Sequence, residues 1–263
     1  MKDILISLCG RGGSKGIKNK NIRPLCGVPL IAWTLFDALR AFERREDVRK
    51  TIVVDSDSEA ILETARWYSP NVLLHTRRED LAGDTVAKMD VLREVLADTS
   101  KETGRKFDAM IDLDITSPLR TFEDVEGAFA LFERDICEVT FSVVPARRNP
   151  YFNMVEIDAA GRGALCKPSD FVARQQAPLV FDMNASIYVY RPEVFARSVK
   201  SPVGLEFGIF CMRDYGVIDI DSEEDLELME VLLTHGEHLL SEPLRAKKRL
   251  LRATIEEGAV GHE

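Results

Sequence analysis

No Cys-X-X-Cys pair occurs in this chain. Its five cysteines, Cys9, Cys26, Cys137, Cys166 and Cys211, are odd in number and scattered, so they outline neither a zinc site nor a disulfide framework. Reduced thiols in a cytoplasmic protein are the expectation. No apolar run is long enough to span a bilayer. The opening MKDILISLCG has too short an apolar stretch and too few basic residues to be expected as a signal peptide. Positive charge is in deficit: the net charge of -9 argues against general nucleic-acid binding. The four histidines, His75, His235, His238 and His262, form no catalytic set. Two phosphate-loop signatures are also missing, since neither GxxxxGK[ST] nor GxGxxG occurs in the first loop. P-loop hydrolysis and a nicotinamide cofactor are therefore unsupported.

What is present is core material. Hydrophobic residues make up 45% of the 263, enough for one large α/β domain. Strand-like and helix-like runs alternate. Strands are predicted over 4–9, 50–54, 72–75, 107–113, 139–144 and 184–190, with a late strand over 216–220. Helices are predicted over 29–42 and 57–67, and from Asp84 or Thr85 to about Leu96. Another covers 125–132 after a capping box at Thr121–Asp124, and one more follows a Ser222 cap. Such alternation predicts a Rossmann-like, mostly parallel sheet with helices on both faces. Ligands bind such sheets beyond the carboxyl ends of the strands. The stretch 146–182 breaks the pattern and is predicted to leave the sheet as an arm. The tail from Glu242 carries Arg245, Lys247, Lys248 and Arg249, and predicts a solvated basic helix face.

Three segments carry chemistry. The first strand feeds a loop with Gly12, Gly13 and Gly16 among Arg11, Lys15, Lys18 and Lys20, followed by Asn21. Glycine lets backbone N–H groups approach phosphate oxygens, and fixed cations neutralise them. In nucleotidyl transfer those cations act on the α-phosphate and the departing pyrophosphate. The second segment is IDID at 218–221. Residues two apart on a strand share a face, so Asp219 and Asp221 predict a carboxylate pair suited to Mg²⁺ and phosphate oxygens. Helix capping by Asp221 accounts for part of that pattern too. The third is LDITSPLR, 113–120. Asp114 is expected at the strand end, facing the cleft, with Thr116 and Ser117 as hydroxyl donors and Arg120 paired to an acid.

In these motifs the chain resembles the CMP-sialic acid synthetases, the acylneuraminate cytidylyltransferases. The likeness rests on GRGGSKGIKNKNIRPLCGVPLIAWTL at 10–35, LAGDT at 81–85, TSPLR at 116–120, RQQ at 174–176, NASIY at 184–188 and IDIDSEED at 218–225. It implies a single nucleotide-diphospho-sugar transferase type domain over 1–263, with 146–182 as a dimerisation and sugar-binding arm. The implied reaction joins CTP and a nine-carbon α-keto acid sugar, with Mg²⁺, to give the CMP-sugar and pyrophosphate. By position within the motifs, Arg11, Lys20, Asp219 and Asp221 fall at catalytic positions. Gly12, Gly13, Lys15, Asn21, Arg77, Ala82 and Asp84 fall where the family holds its nucleotide. Asp114, Thr116, Ser117, Arg174, Gln175, Asn184 and Tyr188 fall at or beside its sugar contacts. Asp219 and Asp221 match its metal-binding pair. A homodimer is implied, with no nucleic-acid or membrane partner.

One departure matters. The family usually reads LQPTSPLR, and Asp114 replaces the glutamine. A carboxylate there repels the sugar's own carboxylate unless a cation or proton intervenes. Two roles stay open: a third Mg²⁺ ligand, as related KDO-type enzymes use an aspartate near this place, or a contact to a hydroxyl or amide of a different sugar. LDITSPLR and NPYFNMVE at 149–156 look most like the bacterial legionaminic acid branch. Alternatives are a nucleotidyltransferase for KDO or another ulosonic acid, and a catalytically silent nucleotide-binding protein. Tyr151, Phe152, Phe171 and Phe181 of the arm suit either acetamido methyl groups or a dimer core. No general base emerges from the sequence.

Overall fold

The computed structural model describes residues 1–13, 16–83, 85–134, 137–213 and 218–260, with 256–260 as backbone only. The chain opens with β1 (Lys2–Cys9), a small hairpin of β2 (Pro24–Leu25) and β3 (Val28–Pro29), and α1 (Leu30–Arg40). Next come β4 (Val48–Ser56), α2 (Glu59–Tyr68), β5 (Leu73–Thr76), α3 (Lys88–Thr103), β6 (Ala109–Leu113), α4 (Phe122–Arg134) and β7 (Val139–Pro145). The arm holds β8 (Val155–Ile157) and β9 (Gly163–Leu165); β10 (Phe181–Tyr190), β11 (Phe207–Cys211), α5 (Glu223–His235) and α6 (Glu242–Val260) complete the fold.

Among the described residues, seven strands form one sheet in the order β11-β7-β10-β6-β1-β4-β5. Pairing is parallel between β1 and both β4 and β6, between β4 and β5, and between β11 and β7. Only β10 runs antiparallel among these, against β6 and β7. The mostly parallel sheet expected from the alternation is present, and β10 has a simple reason for its reversal. Pro145 at the end of β7 pairs with Phe181 at the start of β10, so the arm is the tip of a long hairpin, not a crossover. Alternation along β1 decides the two faces. Ile4, Ile6 and Leu8 pack with α1, α2, α4, α5 and α6, while Leu5 packs with Met89, Leu92 and Val95 of α3.

Caps explain two helix starts. Asp124 Oδ2 accepts from Thr121 N at 2.9 Å and Thr121 Oγ1 at 3.0 Å. Ser222 Oγ accepts from Asp225 N at 3.2 Å, and Asp225 returns the contact to Ser222 N at 2.8 Å. The Ser222 cap expected from the sequence is thus a reciprocal box, and at Thr121 the half in which Asp124 accepts from the cap residue is formed. The third helix start differs. α3 begins at Lys88 after Ala87, with no side-chain cap, so Thr85 does not cap it. Asp84 lies outside the described residues.

Two further expectations are corrected. Ile218–Ile220 belong to no strand, and 214–217 lie outside the described residues; the sheet's late strand is β11, which pairs with β7 instead. The basic tail is not a solvated face throughout. Arg249 is exposed and Arg245 half-buried, and both pair with Glu242, at 2.9 and 3.0 Å, but Lys247 and Lys248 are buried. Leu244 and Leu251 flank them on the same helical face, and that leucine spacing draws the lysine stems inward.

Candidate active site

A cleft of about 370 Å³ opens beyond the carboxyl ends of β1, β5 and β6. This is where the strand order reverses: the chain moves from β1 outward to β4 and β5, then returns to β6 on the other side of β1. Ligands in open α/β sheets bind at such a switch point. Of the residues singled out in the sequence, Arg11, Lys20, Asn21, Arg77, Asp114, Thr116 and Asp221 line the cleft.

The first loop is held from behind. Asn21 is buried, and its Nδ2 donates to the Arg11 carbonyl at 2.9 Å. Gly12 N donates to Asp57 Oδ1 at 2.8 Å. A Cβ at Gly12 would meet the Ser58 side chain, and one at Gly16 would lie on the Asp221 carbonyl oxygen. Close backbone approach is thus what glycine provides at these two positions. Gly13 is exposed with open space around it. Lys15 lies outside the described residues.

The acidic segment meets this loop from the other side. Ile220 N donates to the Thr116 carbonyl at 3.0 Å, which brings 219–221 against the 114–120 turn. Lys20 Nζ donates to Asp221 Oδ1 at 2.8 Å. Asp219 is half-buried. Burial, then the neighbouring Asp221 carboxylate, pushes its pKa up. A carboxylate whose ionisation a neighbouring carboxylate opposes suits a divalent cation shared with phosphate oxygens.

The floor carries a cation, Lys88, that none of the sequence motifs includes. Lys88 Nζ lies 3.0 Å from Asp112 Oδ2 and 3.6 Å from Asp114 Oδ2. Ser7 Oγ donates to the other Asp112 oxygen at 3.0 Å. Desolvation by its neighbours opposes the Lys88 ammonium, whose side chain stays 41% exposed to the cleft, but Asp112 and Asp114 outweigh it and hold its pKa well above the usual lysine value. Burial likewise opposes the Asp114 carboxylate. Lys88, then two hydrogen bonds from Thr116, overcome it, and Asp114 titrates below the ordinary aspartate range. Thr116 N and Oγ1 donate to Asp114 Oδ1 at 3.1 and 2.9 Å. Asp114 is therefore a fixed, ionised group facing the cleft, and Lys88 is the cation that its presence there requires. The sequence signal for this floor was a charge inside an apolar strand, AMIDL.

Along the wall, Arg77 Nε donates to Asp55 Oδ2 at 2.6 Å, and both side chains are buried. Burial pushes the Asp55 carboxyl up, against the pull of Arg77. Ala82 ends a short 3₁₀ turn between the cleft residues Leu81 and Gly83. Cys9 lines the cleft too, but burial and the nearby Asp112 push its thiol far up.

A cytidylyltransferase family model matches residues 8–242. The chain belongs to the cytidylyltransferase family. It is a nucleotidyltransferase. The cytidylyltransferase is 38% identical to the post-translational flagellin modification protein B of Campylobacter coli, over 89% of this chain and 96% of the relative. It is 37% identical to a CMP-N,N'-diacetyllegionaminic acid synthase of Campylobacter jejuni, over the same shares of the two chains. In fold it is similar to a CMP:2-keto-3-deoxy-manno-octonic acid synthetase solved with CTP, at a TM-score of 0.64 and 16% identity, over 90% of this chain and 100% of that one.

The remaining site expectations fall elsewhere in the cytidylyltransferase. Ser117 is buried, with its hydroxyl lacking a partner. Arg174 and Gln175 sit on a short 3₁₀ turn in the arm, where Arg174 Nη2 donates to the Ala146 carbonyl at 2.8 Å. Asn184 is buried at a register shift in β10 and accepts from Ser142 Oγ at 2.6 Å. Next to it Ala185 has φ +49, a strained value for a residue with a side chain. Tyr188 stacks on Tyr190 with centroids 6.0 Å apart, and burial with nearby Asp112 pushes its hydroxyl up to about 12. None of these lines the cleft. No helix of the described residues is long and apolar enough to cross a membrane.

Proposed function

We propose that this cytidylyltransferase joins CTP to a nine-carbon α-keto acid sugar of the legionaminic type. The products are the CMP-sugar and pyrophosphate. The sugar's 2-hydroxyl oxygen bonds to the α-phosphorus, the bond from that phosphorus to the pyrophosphate oxygen breaks, and one proton is released. The observation that carries the reading is the match to the Campylobacter synthase across nearly both chains, together with a cationic loop and a carboxylate pair meeting at the sheet's switch point. Arg11 and Lys20 hold the triphosphate and offset charge on the leaving group. Arg77, fixed by Asp55, borders the space left for the base and ribose.

Asp219 and Asp221 fit a magnesium ion, with Asp114 close enough to share its field. When bound, that ion neutralises the triphosphate. Asp114, held below the ordinary aspartate range by Lys88 and Thr116 against the cost of burial, suits a hydrogen-bond acceptor or a group that faces a cation. Lys88 beside it is shared between Asp114 and Asp112, which keeps the carboxylate ionised there.

The arm exposes Val155, Ile157, Val172 and Leu179. An apolar surface of this kind suits a second copy of the chain. A homodimer would cover it and carry Arg174 and Gln175 toward a cleft.

Pyrophosphate release, measured over four nucleotides and a panel of legionaminic, neuraminic, pseudaminic and KDO-type acids, tests the reading. Turnover is expected with CTP alone and fastest with the legionaminic acid. No turnover with CTP and any ulosonic acid would sink it. In the same assay Asp114→Gln separates the two roles of that carboxylate. A sugar contact shifts the order of preference at unchanged Mg²⁺ requirement, whereas a metal contact raises the Mg²⁺ requirement several-fold and leaves the order alone.

A further inference from the structure

Behind the cleft wall lies a charged cluster that the chemistry above does not use. Asp37 of α1, Arg120 and Lys247 of α6 are all essentially buried. Lys247 Nζ donates to Asp37 Oδ2 at 2.7 Å, to the Pro118 carbonyl at 3.0 Å and to the Arg120 carbonyl at 2.8 Å. Its three donors are thereby used. The Arg120 guanidinium reaches the Asp114 carbonyl through Nη1 and Nη2 at 3.2 Å, and the Ser186 carbonyl at 2.7 Å. Its Nε is 3.5 Å from Asp37. Asp124 adds a further negative charge facing the cluster from α4.

Stability is a poor account of this arrangement. A buried ion cluster recovers little more than it costs to desolvate, and apolar replacements are often neutral or better. Here the satisfaction is incomplete as well, since Asp37 Oδ1 and Arg120 Nε lack hydrogen-bond partners. Burial pushes Asp37 up to about 6 and Lys247 down to about 8, each held back by the other. What the cluster does fix is geometry. Two of the three Lys247 hydrogen bonds go to main-chain carbonyls of the turn that carries Asp114 and Thr116.

We infer that Lys247 is a positioning residue of the nucleotidyl-transfer site, acting through the 114–120 turn to set Asp114 and Thr116 in the cleft. The inference rests on the proposed reading of that site. It gives α6 a functional task, although Lys247 lies beyond the matched family region, which ends at residue 242. A displacement of about 1 Å at a substrate-positioning group can reduce turnover by around a hundredfold. Loss of these two anchors should act first on Asp114 and Thr116, while the first loop keeps its own ties through Asn21 and Asp57.

The test uses the full chain and three measurements: melting temperature, CTP dissociation constant without sugar, and kcat/KM for the preferred sugar acid at saturating CTP. Lys247→Met is expected to lower kcat/KM by at least fivefold with CTP affinity within twofold. Asp37→Asn removes the ion pair but leaves both carbonyl contacts. It should lower the melting temperature while keeping kcat/KM within fivefold. A folded Lys247→Met variant with kcat/KM within fivefold overturns the inference. So does a parallel loss in the two variants, or a loss of CTP affinity that matches the loss of turnover. If Lys247→Met does not fold, Lys247→Gln is held to the same thresholds. An inactive wild-type chain would instead sink the reading of the site, so the two failures are distinguishable.

Discussion

Asp221→Ala is expected to lower pyrophosphate release by on the order of a thousandfold, the upper range for removing one preorganised electrostatic group. Two functions are lost at once. Asp221 Oδ1 holds Lys20 Nζ at 2.8 Å, and with Asp219 it forms the carboxylate pair that fits the proposed magnesium ion. The fold should barely register the change. The Asp221 side chain is 72% exposed, and an ion pair of that kind contributes about 0–1 kcal/mol. The melting temperature should therefore fall by no more than about 4 °C. Near-normal turnover in this variant would remove Asp221 from the machinery. A large drop in melting temperature would make the loss of activity uninformative about chemistry.

Gly16→Ala should be almost as severe, for a steric reason. The added Cβ would lie on the Asp221 carbonyl oxygen, which is backbone and cannot rotate away. Either the first loop or the 219–221 segment must then move. The two halves of the site meet backbone to backbone at this point, so the cations and the carboxylates separate. A shift of about 1 Å predicts a loss of around a hundredfold in kcat/KM. Circular dichroism should be unchanged, because Gly16 lies in a loop at the surface. Turnover within threefold of the parent would show that the contact gives way harmlessly.

Much of this site was legible in the sequence because its signals are local. The first loop is written in consecutive glycines and cations after an apolar strand, and the two helix caps in residues three apart. What could not be read depends on partners distant along the chain. The direction of β10 follows from how the arm folds back, and an apolar run has the same appearance in either direction. β11 escaped because its residues alternate between half-buried and exposed at a sheet edge, which weakens the apolar signal. Asp112 and Lys88 read separately as a charge in a strand and a charge at a helix start; only their 3.0 Å separation makes them one feature. The tail lysines were misjudged because a charge count ignores helical phase. Leu244 and Leu251, a turn away on either side, were the cue.

The side-by-side anchoring of Pro145 and Phe181 has an evolutionary meaning. The arm leaves the sheet and returns to it at one place, so its length and wording can change without disturbing any strand outside that pair. Loop closure penalises such changes weakly, by roughly 0.6 kcal/mol for each doubling of length. The catalytic platform and the arm are thus separable inheritances. One can stay fixed while the other drifts in length and wording.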